Sequence, residues 1–286
     1  MKITDIHKNK KRTLSFEIFP PKKDKELDNI DETLTILSRL SPDFISVTFG
    51  AGGSVNCNRT IELAKKIKDE YHIEPVVHLT SLHYDKKEID SFADTLKAEG
   101  IENILALRGD KRPDIPEKDD FHHASDMITY LKANYDFCIL GACYPECHPE
   151  SENCVEDIKN LKKKVDAGAE YLLSQLFFDN ENFYRFKEKC ILAGIDVPVI
   201  PGIMPVINAA QIKRMLTMCN AKLPEHFRKI IAKYENNQTA LFDAGMSYAI
   251  SQIIDLLVND TEGIHLYTMN NPVVAGRICE GIKNII

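Results

Sequence analysis

What most constrains this chain is a rhythm. Short runs rich in β-branched and aromatic residues return at intervals of roughly 30 residues, each followed by an amphipathic, charge-bearing stretch of helical period. The runs fall at 14–19, 44–50, 75–80, 103–109, 137–145, 171–178, 198–205 and 264–270. Helical stretches follow at 27–39, 58–70, 87–99, 123–133, 155–167, 180–193, 208–217 and 273–284, with two more, 224–234 and 237–258, ahead of the last run. Eight β/α units in 286 residues predict an α/β fold, a (β/α)8 TIM barrel with extra helices between strands seven and eight. A doubly wound open sheet is the competing topology, but it more often carries a glycine-rich turn after its first strand, and the turn here reads PPKKDKE. No Pro/Gly/Ser-rich linker divides the chain, so residues 1–286 read as one domain.

Composition removes several classes of function. Lys and Arg number 36 against 43 Asp and Glu, a net charge of −7, which gives no reason to expect a nucleic-acid surface. With 44% hydrophobic and 28% charged residues the chain can bury a sizeable core. No apolar run is expected to span a bilayer and no signal-peptide core is evident near the start, so a cytoplasmic protein without a membrane partner is expected. The eight cysteines then read as reduced thiols. The basic run HKNKKR at 7–12 reads as a solvated terminal patch.

In a barrel, strand side chains alternate between interior and helix-facing sides, and catalytic groups sit at the C-terminal strand ends. Leu14, Phe16 and Ile18 form one apolar face, so Glu17, with Ser15 and Phe19, should point into the mouth. Burial among aromatics would raise the pKa of such a carboxyl toward neutrality, as a general acid requires; pairing with a nearby Arg or Lys is the structural alternative. The same logic selects Thr48, His78, Arg108, Asp110, Tyr144 and Gln175. Arg108-Gly109-Asp110 offers a planar donor fork beside a residue that lets backbone approach a ligand, or else a local ion pair. The string Cys143-x3-Cys147-His148-x5-Cys154 contains zinc-ligand types, but it lacks C-x2-C spacing and a second pair, so no metal is expected. P-loop, G-x-S-x-G, H-E-x-x-H and Rossmann signatures are absent, so any nucleotide cofactor must be held another way.

The strings LSFEIFPPK, FISVTFGAGG, VVHLT, ILALRGD, ACYPECHPE, LKKKVDAGAEYLLSQLFFD, IPGIMPV and HLYTMN, in this order and spacing, resemble the methylenetetrahydrofolate reductase family of flavin-dependent barrels. The resemblance runs from about residue 14 to the last strand. It implies FAD across the C-terminal face of the barrel, contacted by Thr48, Ala51, His78, Arg108, Gly109, Asp110, Ala124, Tyr144, His148, Asp157, Asn160 and Lys164. His148 and Lys164 would suit the anionic pyrophosphate. It implies reduction of 5,10-methylenetetrahydrofolate to 5-methyltetrahydrofolate, with NADH or NADPH and folate using one flavin face in turn. Glu17 then matches the family acid that protonates N10. Asp110 matches the residue that contacts the pterin and steadies the developing cation, and Gln175 and Gln211 match folate-contacting glutamines.

Two positions depart from the family pattern. Met215 stands where relatives often have a substrate-packing phenylalanine, and Asn271 where YTLNR supplies an arginine for the folate tail. A homo-oligomer is expected. The alternatives are the flavin subunit of an assembly with an accessory zinc-bearing redox subunit and another electron donor, or a pterin-binding methyltransferase barrel.

Overall fold

The computed structural model describes residues 1–21, 27–49 and 54–286. Its strands are β1 (Thr13–Ile18), β2 (Phe44–Val47), β3 (Glu74–Thr80), β4 (Asn103–Leu107), β5 (Cys138–Cys143), β6 (Tyr171–Ser174), β7 (Val199–Ile200), β8 (Gly202–Ile203) and β9 (Gly263–Tyr267). All pair in parallel, in the order β7-β6-β5-β4-β3-β2-β1-β9-β8. Because β7 and β8 are consecutive in the chain, the sheet closes on itself, and the two are halves of the seventh barrel strand. Pro201 parts them. It has no N–H for a ladder, and its carbonyl accepts from His265 while the Gly202 N–H turns to the Ser174 hydroxyl, 2.9 Å away. A Cβ on Gly202 would lie 2.2 Å from the Ser174 carbonyl oxygen, so only glycine fits where the strand presses on β6.

Helices alternate with these strands: α1 (Ile3–Asn9), α2 (Leu27–Ser38), α3 (Ser54–Asp69), α4 (Lys86–Ala98), α5 (Ala124–Asn134), α6 (Cys154–Asp166), α7 (Asn180–Leu192), α8 (Ala209–Cys219), α9 (Glu225–Tyr234), α10 (Gln238–Val258) and α11 (Pro272–Ile282). The (β/α)8 barrel and the two extra helices, α9 and α10, stand as expected. The strands end sooner than their apolar runs: the run at 171–178 is strand only through Ser174, because the residues beyond leave the sheet to build the mouth. Apolar side chains divide into an annulus between strands and helices, including Phe16, Ile45 and Ile104, and a barrel interior that includes Phe44, Val76, Leu105 and Tyr171.

The basic run at 7–12 is largely exposed, as expected of a solvated patch, but the residues ahead of it are built into the barrel. Helix α1 precedes the barrel and sets Ile3, fully buried, into the interior cluster from below. The Asn103 amide secures it, accepting from the Ile3 N–H at 2.9 Å and donating to the Met1 carbonyl at 3.0 Å. The basic residues pair outside, Lys10 with Asp43 at 2.7 Å and Arg12 with Asp260 at 3.4 Å. Helix α10 corrects one expectation: its 21 residues include an 18-residue window of mean hydropathy 1.3, long and apolar enough to cross a bilayer. Leu241, Met246, Ala249, Ile253 and Leu256 are buried, so in this fold its apolarity serves core packing.

Candidate active site

The alternation of β1 sorts its residues. Leu14, Phe16 and Ile18 pack outward under the helices, while Thr13, Ser15 and Glu17 face in. In register with β9, Ser15 lies beside His265 and Glu17 beside Tyr267. At the bottom of this column Thr13 Oγ1 and the Tyr171 hydroxyl meet at 2.9 Å. At the top, Glu17 Oε2 stands 3.5 Å from His78 Nε2 and 3.8 Å from His265 Nε2, with the Glu17 side chain 20% exposed. Its neighbours are thus two imidazoles and a phenol, not the Arg or Lys of an ordinary structural pair. Both histidines are buried, and neither Nε2 has a hydrogen-bond partner. Burial pushes His78 down to about 4, against the opposing pull of Glu17, so its ring is neutral near pH 7.

Above this centre opens a cavity of about 1050 Å³. Pockets for one small ligand run to roughly 300–1,000 Å³, so there is room for a large cofactor together with part of a substrate. Glu17, Thr48, His78, Arg108, Gly109, Asp110, Ala124, Tyr144, His148, Asp157, Asn160, Lys164 and Gln175 all line it. Gln211 does not: it sits on the first turn of α8, its N–H capped by Asn208, and the same helix reaches the cavity one turn later through Met215. Ala51 lies outside the described residues.

One wall is cationic. The Arg108 guanidinium grips Glu150 through two bonds of 2.6 and 2.7 Å, so the local pair with Asp110 gives way to a longer-range one. That partner holds Glu150 below the usual carboxylate range and raises Arg108. Lys164 donates to the Ala142 carbonyl at 2.8 Å, and burial lowers its pKa. Asp157 accepts from the His148 N–H and the Ser151 hydroxyl, each at 3.1 Å, tying the loop after β5 to the first turns of α6. The His148 ring meets Tyr144 edge-on at 4.5 Å. Gly109 adopts φ +87, where a Cβ would lie 3.1 Å from Thr80 Cβ; glycine keeps backbone available at the cavity wall. Partly buried cations beside bare backbone fit an anionic, phosphate-bearing cofactor such as FAD. Among the described residues no group of three or more His, Cys, Asp or Glu could hold a metal ion.

The opposite wall is ordered by hydrogen bonds. The Tyr267 hydroxyl donates to the Ser174 carbonyl at 2.7 Å, and Gln175 Oε1 accepts from the Leu176 N–H at 2.8 Å. This leaves the Gln175 amide nitrogen for Tyr144 or a ligand. Burial pushes the Tyr144 phenol up to about 12 and Tyr267 well above its ordinary value, so both remain donors at neutral pH. Reasoning from sequence passed over His265, Tyr267, Glu150 and Met204. For His265 and Tyr267 the signal was present: they alternate with Ile264 and Leu266 just as Ser15 and Glu17 alternate with Phe16 and Ile18.

A closed β/α barrel whose C-terminal mouth joins a carboxylate–imidazole centre to a cation-bearing wall is the framework of a barrel enzyme. The family model for methylenetetrahydrofolate reductase matches residues 2–283, and the chain belongs to that family. It is 36% identical over 266 residues to the 5,10-methylenetetrahydrofolate reductase of Escherichia coli K12, covering 93% of this chain and 89% of that one. Against the Buchnera aphidicola protein of the same name it is 38% identical, with 93% and 90% covered. An Arabidopsis thaliana methylenetetrahydrofolate reductase (NADH) is 33% identical; the alignment takes in 94% of this chain and 48% of the plant protein. Among solved structures, a Clostridium thermocellum protein that binds two copies of 5-methyl-5,6,7,8-tetrahydrofolic acid has the same fold. Its TM-score is 0.66 at 13% identity, with 100% and 99% covered.

Proposed function

We propose that this chain reduces 5,10-methylenetetrahydrofolate to 5-methyltetrahydrofolate, with FAD held along the cationic wall and a reduced nicotinamide as electron donor. The observation that carries this reading is the Glu17 carboxylate at the floor of the 1050 Å³ mouth, aimed between two buried imidazoles, in a chain of this family. FAD, when bound, supplies the ring that takes hydride from one partner and gives it to the other. Arg108, His148 and Lys164 would face its phosphates, and Gly109 its closest approach to backbone.

The chain's own part concerns the folate. Its bridging carbon is a poor hydride acceptor until N10 is protonated and the five-membered ring opens to an iminium cation. Glu17 is the only carboxyl on the floor of the cavity among the described residues, and it supplies that proton. Asp110, exposed at the rim beyond Gly109, offers a negative charge to the cation that forms. The Gln175 amide nitrogen donates to the pterin or to the nicotinamide carboxamide as each takes the same place.

The test separates the two halves of the reaction. Glu17→Gln keeps the shape and loses the proton, so bound flavin should still be bleached by NADH at near the parental rate. Its reoxidation by methylenetetrahydrofolate should fall by about a thousandfold, within the roughly 10²–10⁴ that a general acid typically contributes. Normal reoxidation in that variant refutes the role of Glu17; a purified protein lacking flavin absorbance that cannot be loaded with FAD refutes the reading as a whole.

A further inference from the structure

Below Glu17, two polar side chains and a backbone carbonyl form a line that the reaction as derived above does not use. His265 is fully buried at the centre of the barrel, and its Nδ1 lies 2.8 Å from Ser15 Oγ. Ser15 Oγ is in turn 3.4 Å from the Ile264 carbonyl oxygen, which can only accept. The arrangement that satisfies both contacts sends the hydroxyl hydrogen to Ile264 and lets the Ser15 lone pair take a hydrogen from His265 Nδ1. That selects one neutral tautomer, with the His265 lone pair on Nε2. This Nε2 has no hydrogen-bond partner and faces Glu17 Oε2 across 3.8 Å.

The ring cannot turn away. Phe44 stacks along it with 18° between planes, and Tyr267 meets it edge-on at 5.3 Å. A bare lone pair opposite a carboxylate is unfavourable, whereas one proton between them turns the contact into a charge-assisted hydrogen bond once the Glu17 side chain swings in. The titratable groups facing His265 are Glu17 from β1, His78 from β3 and, two residues along β9, Tyr267; β2 presents Phe44 and β8 presents Gly202. His78 approaches the same Glu17 oxygen, but among the described residues no hydroxyl is placed on its ring as Ser15 is on His265.

We propose that His265, oriented by Ser15, is a positioning residue that keeps one proton on the Glu17–His265 pair, so that Glu17 reaches the folate as an acid. The inference rests on the reading of Glu17 as the proton donor to N10. In the forward direction the pair gives its one proton to N10, the N10–CH2 bond opens with its electron pair going to nitrogen, and the pair is left as a carboxylate and a neutral imidazole. Solvent at the mouth then restores the proton through the partly exposed Glu17 side chain. The acidity seen in kinetics belongs to the pair rather than to either residue.

Two measurements test this. In the chain labelled with ¹⁵N-histidine, the His265 resonances should show the Nδ1–H tautomer near neutral pH, and Ser15→Ala should mix the two tautomers; an Nε2–H tautomer in the parent overturns the proposal without reference to catalysis. In the FAD-loaded enzyme, His265→Asn should leave flavin reduction by NADH within about twofold. It should slow reoxidation by methylenetetrahydrofolate about a hundredfold, and move the alkaline fall of that rate at least one pH unit lower. Ser15→Ala, a smaller perturbation of the fold, should slow the same step about tenfold in the same direction. A parental pH profile in His265→Asn, or equal slowing of both halves in both variants, overturns the proposal. If the parent enzyme does not react with methylenetetrahydrofolate while the tautomer is as expected, the reading of the function is what has failed.

Discussion

The two ends of the barrel interior carry similar side chains to opposite purposes. At the lower end the contacts inside the barrel are closed: Thr13 meets Tyr171 at 2.9 Å, and Asn103 closes on both the N–H of Ile3 and the carbonyl of Met1, although His7 Nδ1 and Glu74 Oε2 beside them have no partner. At the upper end, four residues further along β1, Glu17 stands between His78 of β3 and His265 of β9, each presenting a buried Nε2 with no partner. A buried polar atom left unpaired costs about 1–3 kcal/mol. The Thr13–Tyr171 and Asn103 contacts avoid that cost and the floor around Glu17 bears it, which is the arrangement expected of a site that completes its hydrogen bonds only with a ligand present. Stability and chemistry are thereby divided along a single strand: β1 uses Thr13 for one and Glu17 for the other.

The comparison is broken most severely by attacking the lower end. Tyr171→Ala removes a fully buried ring and the partner of Thr13, and should cost about 4 kcal/mol of stability in denaturant unfolding. Affinity for FAD below the unfolding transition should be unchanged; a variant that keeps its stability, or loses FAD affinity while folded, would show that the two ends are not separable. Next in size is the acid sensitivity of the upper end. With His78 held near 4 when folded against about 6.5 when unfolded, the unfolded chain binds the extra proton between those values. The contribution is therefore fully present above pH 6.5, shrinks as pH falls, and is gone below 4, a loss of about 3 kcal/mol. His78→Gln should flatten that part of the stability curve measured from pH 7 to pH 4, and an unaltered slope would place the sensitivity elsewhere.

The lower end and the mouth also differ in how far they could be read without coordinates. Periodicity placed all eight barrel strands, because a strand buried on both sides must be apolar along a recognisable run, and it placed Glu17 because one charged residue interrupts such a run. The same rule applied to β9 would have found His265 and Tyr267, whose parity is equally clear. It could not find helix α1, where one buried residue, Ile3, decides a position that five polar or charged neighbours disguise. Neither could it find the grip of Arg108 on Glu150, since that pairing is set by how the loop after β5 folds over α6, and residues 42 apart carry no local sign of it. Gln211 was legible as a helix residue, but which turn of α8 reaches the cavity depends on the helix's docking angle.

The finest test of the division lies in that grip. Arg108 and Glu150 are 22% and 52% exposed in their side chains, so water screens the pair, and as a contribution to folding it should be worth well under 1 kcal/mol. Its weight should instead fall on the ligand, because a guanidinium fork already engaged by a carboxylate must release it to meet a phosphate. Arg108→Ala removes a charge-assisted donor and should weaken FAD binding, read by quenching of flavin fluorescence, about tenfold or more. Glu150→Gln keeps the loop and frees the fork, and should tighten FAD binding by about twofold to threefold with no change in unfolding midpoint beyond about 0.5 kcal/mol. If Glu150→Gln weakens binding instead, the carboxylate is aiming the fork at the ligand, and the mouth, like the lower end, has its partners built in beforehand.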